Sequence, residues 1–315
     1  MTGHVPTEVA AKPLVSIVIP CFDPGEYLAL AVESALAQSH PSIEIIVVDD
    51  GSREDVRSLL APFPGVRYIR QRNAGVSAAR NRGARESTGD FLVFLDADDR
   101  LLPDAVAVGL QALQARPDAA FAAGVSLLID AAGARLPFKQ AAEVRGDCYE
   151  AMLQGNYIWM PAQVLYRRRV FESARGFRSG VDACADYDLY LRIMREQPVA
   201  LHRQPVAEYR QHGANMSGKK AVMLAAALRT LNREWRHAKK HPAYRRAYWN
   251  GRRFWRDWYG GPLVEEIRTG IRSRRTLPVA LRDGAVLLRH HPYEALRQLG
   301  RKLRALLRTG VPNSR

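Results

Sequence analysis

Asp90-Phe-Leu-Val-Phe-Leu-Asp-Ala-Asp-Asp99 is a buried-strand pattern that runs without interruption into three carboxylates, Asp96, Asp98 and Asp99. Carboxylates this close repel one another unless a cation or a donor-rich ligand neutralises them, and the end of a strand holds Asp96 and Asp98 in fixed relative positions. Hard divalent ions such as Mg2+ or Mn2+ take carboxylate oxygens, with phosphate oxygens and water completing the shell. The alternative is a solvated acidic turn ahead of the helix that begins near Pro103.

Upstream, Leu14 to Pro20 is a β-branched strand and Asp23-Pro24-Gly25 a turn. Tyr27 to Gln38 has helical spacing. Ile43 to Val48 is a second apolar strand that ends in Asp49-Asp50-Gly51-Ser52, with a short helix over Val56 to Leu60. Val66 to Ile69 (strand), Val76 to Arg85 (helix) and Phe91 to Leu95 (strand) continue the alternation, which is the rhythm of a parallel sheet covered by helices. Ligands on such sheets bind at the carboxyl ends of strands. Asp23, Asp49, Asp50 and the acids of 96–99 all fall there.

A dinucleotide-binding oxidoreductase needs Gly-x-Gly-x-x-Gly straight after its first strand. Pro20-Cys21-Phe22-Asp23-Pro24-Gly25 stands there instead, and there is no Gly-x-x-x-x-Gly-Lys loop. The chain resembles the family 2 glycosyltransferases, inverting enzymes of GT-A fold that take sugar from a nucleotide-sugar. The resemblance rests on Ser16-Ile-Val-Ile-Pro20, Glu33-Ser34 with Gln38, Val47-Val-Asp-Asp-Gly-Ser52, Asn73-Ala-Gly75, Ala79-Arg80-Asn81 with Gly83, and Phe94-Leu-Asp-Ala-Asp-Asp99, and spans about residues 14–217. It implies that Pro20, Cys21, Phe22, Asp23 and Asp50 line the nucleotide and that Arg80 lies near the diphosphate. Asp96, Ala97 and Asp98 would hold ribose and a Mn2+ or Mg2+ ion, with Asp98 the direct ligand. Asp99 is either part of that site or a cap on the following helix.

Inverting transfer requires a general base for the acceptor hydroxyl. The family supplies it from an acidic pair that opens a helix ahead of Tyr-Asp-Leu. Here the stretch is Ala185-Asp186-Tyr187-Asp188-Leu189, so the first acid of the pair is absent and Asp186 is the catalytic candidate, its alternative role being a helix cap. Asp188 reads as structural. Tyr209-Arg-Gln-His212-Gly-Ala-Asn-Met-Ser217 resembles the family's closing segment, which makes His212 a candidate metal or phosphate contact. Trp159, in Tyr157-Ile-Trp-Met-Pro161, is the candidate acceptor contact, with core packing as its alternative. Arg167-Arg168-Arg169 reads as solvated surface.

The 315 residues accommodate one sizeable domain and an extension, expected as a flexible 1–13, a GT-A domain over 14–218 and a basic helical tail over 219–315. Three cysteines without metal-type spacing suit a reducing cytoplasm, and neither a signal-peptide pattern nor a membrane-spanning apolar run occurs. From Lys219 onward there are 24 Lys and Arg against 6 Asp and Glu, while the first 218 residues hold 23 against 26. Amphipathic stripes run through Leu224, Leu228, Leu231 and Trp235, and through Leu296, Leu299, Leu303 and Leu306, with Trp249, Phe254, Trp255 and Trp258 between them. Such helices lie on anionic membranes, pack on their own enzyme or bind nucleic acid. The first is favoured, and no nucleic-acid partner is expected.

These residues predict an α/β protein: a GT-A type nucleotide-binding sheet flanked by helices, with a basic, mainly helical C-terminal extension. The expected activity is metal-dependent inverting transfer from a nucleotide-sugar, such as a UDP-sugar, to a glycan or lipid-linked glycan at the inner face of the cell membrane, within bacterial-type surface polysaccharide synthesis. Two alternatives are a sugar nucleotidyltransferase, for which no Gly-rich basic loop follows the first strand, and a membrane-associated nucleotide-sugar binder that the missing acid at Ala185 leaves inactive.

Overall fold

A computed structural model describes residues 12–137, 143–213, 215–272 and 277–290. It begins with β1 (Val15–Cys21), α1 (Tyr27–Leu36), β2 (Ile43–Asp49), α2 (Val56–Leu59), β3 (Arg67–Arg70), α3 (Val76–Glu86) and β4 (Phe91–Phe94). β1 pairs in parallel with β2 and β4, and β2 with β3. All seven residues of β1 are buried, which is why it reads as a continuous apolar run rather than an alternating one. α1 buries Leu28, Ala31, Val32 and Ala35, the spacing of one helix face. α3 passes so close to the sheet that a methyl group at Gly83 would collide with Val18 and crowd Val48.

Next come β5 (Arg100–Leu101), α4 (Ala105–Ala115), β6 (Phe121–Ile129), β7 (Arg135–Leu136), α5 (Cys148–Gln154), β8 (Val164–Arg167), α6 (Arg168–Ser173), α7 (Ala185–Met194) and β9 (Ala200–Arg210). The strand order is β3-β2-β1-β4-β8-β6-β9-β5, with β7 on β6. From β3 to β4 every pairing is parallel, and beyond β4 only β6 and β9 pair in parallel along that path. β8 runs antiparallel to both β4 and β6, so the expected parallel rhythm gives way to a mixed sheet after the fourth strand. The motif Glu33-Ser34 with Gln38 has a structural cause: Leu101 donates to Ser34 Oγ at 3.1 Å, and Gln38 bonds Leu102 and Val106, which fixes the strand-to-helix corner after the acidic triplet. Arg167 and Arg168 are not the solvated surface expected. Arg167 donates to the Leu113 and Ala119 carbonyls, and Arg168 to those of Ala84 and Gly89.

The chain divides into two compact units, 1–143 with 158–212 and 144–157 with 213–315. The second unit comprises α5, α8 (Lys220–Ala238), α9 (Pro242–Arg272) and α10 (Leu277–His290). The α5 segment, assigned from sequence to the N-terminal domain, therefore clusters with the C-terminal helices. Leu224, Leu228 and Leu231 are completely buried, so this stripe is core and not a membrane face. Trp255 is buried as well, whereas Trp249 and Trp258 are exposed. The Leu296–Leu306 stripe lies outside the described residues. No helix among the described residues is long and apolar enough to cross a membrane.

Candidate functional site

The carboxyl ends of β1, β2 and β4 bring the acidic residues together, because parallel strands place all these ends on one edge. At the end of β1, Pro20 and Cys21 are buried and Phe22 is 51% exposed. Burial, followed by the nearby Asp49 and Asp50, pushes the Cys21 thiol up to about 12, so it stays protonated and is no nucleophile. Asp23 adopts a left-handed backbone (φ 46°) and accepts from the Arg53 amide at 2.7 Å and its guanidinium at 2.6–2.8 Å. Those bonds to Arg53 hold its carboxyl below the usual range. Asp49 is fully buried, bonded by Ser52 N, Tyr68 Oη and Arg70. Asp50 accepts from Gln71 Nε2 and from the amides of Ala74 and Gly75 at 2.8–2.9 Å, so its carboxylate shapes the loop that opens α3.

β4 delivers the triplet. Asp96 is paired at 2.5 Å with Arg80, which α3 presents almost completely buried and which stacks 5.2 Å over the Phe177 ring. Asp98 Oδ2 lies 2.9 Å from His212 Nε2. Burial first, then the charge of Asp96, raise the Asp98 carboxyl, with His212 working against both. Ala97 sits between them, packed against the core. Asp99 does not cap the helix after it. It is buried and accepts the backbone N–H of Arg210 at 2.8 Å, and burial with its two acidic neighbours drives its carboxyl well above the ordinary value.

Two residues that sequence reasoning passed over complete this corner. Arg210, 1% exposed, donates Nε to the Asp98 carbonyl at 2.9 Å and its Nη1 to the carbonyl of Ala131 at 3.0 Å. Tyr27 lies under both, its ring 4.8 Å from the Arg210 guanidinium and 5.2 Å from the His212 ring. Arg210 sits in the quoted closing segment two residues before His212, and that position was the available signal. Tyr27 carried none beyond being the first residue of α1.

Asp186 is the second residue of α7, which starts abruptly because Cys184 takes a left-handed conformation (φ 61°). Its carboxyl is raised to about 6, chiefly by burial; Arg80 pulls it down and Asp96 pushes it up. Ala185 is 1% exposed, so the position that lacks an acid is packed rather than open. Asp188 is held by Arg192 at 2.9 Å and by Arg178, a structural role as expected. The loop ahead of α7 is latched to α3. Asp182 accepts from the Ser77 amide at 3.1 Å, and Ser77 Oγ donates to the Val181 carbonyl. Trp159 is half-buried, its amide donating to Gln163 Oε1 at 2.7 Å.

Asp96, Asp98, Asp99 and Asp186 thus share the neighbourhood of Arg80, Arg210 and His212, with carboxylates in excess of permanent cations. The excess and the donor set of carboxylate oxygen and one imidazole fit a divalent ion of Mn2+ or Mg2+ type. No three such side chains converge into a ready cage among the described residues.

The family model described as "Glycosyl transferase family 2" matches residues 16–172. Chondroitin synthase of Escherichia coli is 31% identical over 215 residues, 66% of this chain and 30% of that protein. A putative teichuronic acid biosynthesis glycosyltransferase, TuaG of Bacillus subtilis, is 33% identical over 123 residues, 37% of this chain and 48% of the relative. The chain spans about a third of the length of the first curated relatives. Among solved structures, S. aureus TarS 1-349 with UDP-GlcNAc superposes with a TM-score of 0.58 at 12% identity, covering 70% of this chain and 66% of that one. Mannosyltransferase PcManGT from Pyrobaculum calidifontis, in complex with GDP-Man and Mn2+, gives 0.59 at 16% identity over 95% and 81%.

Proposed function

The chain belongs to glycosyl transferase family 2 through residues 16–172, and on that premise we propose that it is a metal-dependent inverting glycosyltransferase that moves a sugar from a UDP-sugar to a glycan or lipid-linked acceptor in surface polysaccharide synthesis. The observation that carries the reading is that Arg80 lies between Asp96, with which it pairs, and Asp186, while Asp98, two residues on from Asp96, is paired with His212. Two acid functions are needed, and the chain supplies them from different elements, the end of β4 and the start of α7. Asp98 and Asp96 stand where a diphosphate and its ion would bind, and Asp186 carries a carboxyl tuned near neutrality.

Asp186 accepts the proton of the acceptor hydroxyl as its oxygen attacks the anomeric carbon from the face opposite the leaving nucleoside diphosphate. Arg80 holds Asp96 in place and supplies positive charge beside the departing phosphates. Phe22, half exposed at the end of β1, offers a face for the nucleotide base, while Pro20, Cys21, Asp23 and Asp50 shape the loops around it. Asp98, Asp96 and His212 are the residues that would hold Mn2+ or Mg2+, which when bound neutralises leaving-group charge. Trp159 is the acceptor contact, its indole suited to the apolar face of a sugar ring. The names of the relatives, chondroitin synthase and a teichuronic acid glycosyltransferase, support a polysaccharide acceptor, and the basic C-terminal unit supports a peripheral position on the inner membrane face.

The test is nucleoside-diphosphate release from UDP-, dTDP- and GDP-sugars with Mn2+ or EDTA. Metal-dependent release from one donor, lost in Asp98→Asn and depressed in Asp186→Asn, is the expected result and names the donor. Absence of both release and nucleotide binding for every donor would overturn the reading.

A further inference from the structure

Helix α10 has two apolar faces. One is packed within the C-terminal unit through Ala280 and Leu287, 4% and 5% exposed. A helix lying on a folded unit should turn polar residues outward. α10 instead turns Leu277, Leu281, Ala285 and Leu288 outward, positions spaced i, i+4, i+8 and i+11, with Leu281 63% and Leu288 52% exposed. At about 1.5 Å per residue this stripe is about 16 Å long. Arg282, its side chain 71% exposed, and the exposed Arg289 flank it on one side.

The surrounding field is positive. His290, at the end of α10, has its proton affinity lowered by burial and then by Arg289, Arg229, Arg252 and Arg256. Residues 219–315 carry 24 basic against 6 acidic side chains. We infer that the outward stripe of α10, with Arg282 and Arg289 beside it, is the surface by which this chain lies on an anionic lipid bilayer, resting on the peripheral-membrane reading above and assigning its contact. The leucines sink to the acyl boundary while the arginines stay level with the phosphates, the arrangement of an in-plane amphipathic helix. A second copy of the chain on this face would bring Arg282 and Arg289 towards their own symmetry mates, a repulsion that lipid phosphate reverses. The buried stripe of α8, Leu224, Leu228 and Leu231, is unavailable for this role.

Flotation of the full chain with vesicles tests it, using phosphatidylcholine alone or with about a third phosphatidylglycerol. Wild type is expected to float with the anionic vesicles at low salt and not with the neutral ones. The double variant L281D/L288D should lose roughly tenfold or more of the bound fraction, and R282E/R289E should lose binding at low salt, both with an unchanged circular dichroism spectrum. Because the four side chains are exposed or solvent-facing, these variants are expected to fold. Wild type remaining at the bottom with anionic vesicles, or L281D/L288D floating like wild type, would overturn the assignment. So would an L281D/L288D protein that elutes as a smaller species yet floats unchanged, since the stripe would then be a protein contact. Nucleoside-diphosphate release in vesicle-free solution is read on the same preparations. Its failure speaks against sugar transfer alone, and its persistence in a non-floating L281D/L288D speaks for the surface alone.

Discussion

Asp186 is useful as a base because its environment opposes its charge. Burial raises its carboxyl to about 6, while Arg80 limits the rise. A general base works in its deprotonated form, so kcat/KM should be flat above that pH and fall about tenfold per unit below it. Asp186→Asn cannot accept the proton and should lower kcat by about 10²–10⁴-fold while abolishing this acid limb. A pH profile that keeps its limb in the variant would assign the base elsewhere. Arg80 makes a different demand. Its guanidinium is nearly buried against Asp96, whose side chain is 29% exposed, so removing one partner strands the other. Arg80→Met should destabilise the fold by about 3 kcal/mol, the lower end of the range for breaking a buried pair. Urea unfolding checks this, and Arg80→Met combined with Asp96→Asn should recover much of the loss. Additive losses would mean that the pair is not coupled.

At the scale of elements, α3 carries Arg80 into the site only because Gly83 lets the helix sit directly on Val18 and Val48. Gly83→Ala should therefore cost about 1–3 kcal/mol by overpacking. Gly65→Ala, where an added methyl meets nothing within 4 Å, should be near neutral. Equal melting temperatures for the two variants would refute this account of the packing. β1, β2 and β4 were legible because strands covered on both faces must be apolar throughout, and the acids that interrupt them stood out for the same reason. β9 was not legible. Its burial pattern is irregular, it contains Pro205, and its register against β6 slips around Val125. The Asp98 and His212 pair could be guessed from two local motifs, each readable alone. The clamp of Asp99 by the Arg210 amide joins residues 111 positions apart through a backbone group, and no side-chain pattern announces such a bond. The basic composition of the tail was plain, but which of its apolar stripes faced inward was decided by helix packing that periodicity does not encode.

For the whole molecule, the charge break near residue 218 suggests a place to cut the chain, and the division into units argues against it. α5 lies at 148–154 yet clusters with the helices after 213. There Tyr149, Met152 and Leu153 are 3%, 0% and 0% exposed, Tyr149 donates to the buried Glu234 at 2.9 Å, and Tyr244 donates to Asp147 at 2.6 Å. A chain ending at Gly218 keeps α5 and loses these partners. At about 1.5–3 kcal/mol per large side chain, the three buried residues forfeit about 4.5–9 kcal/mol, comparable with the entire stability of many domains. The truncated protein should aggregate or bind hydrophobic dye, with a lowered and broadened melting transition. Replacing Met152 and Leu153 by serine in the truncated chain should restore solubility without restoring the melting temperature. A soluble monomer of residues 1–218 that melts cooperatively at the full-length temperature would show that α5 does not depend on the C-terminal helices, and that the charge break marks the true boundary.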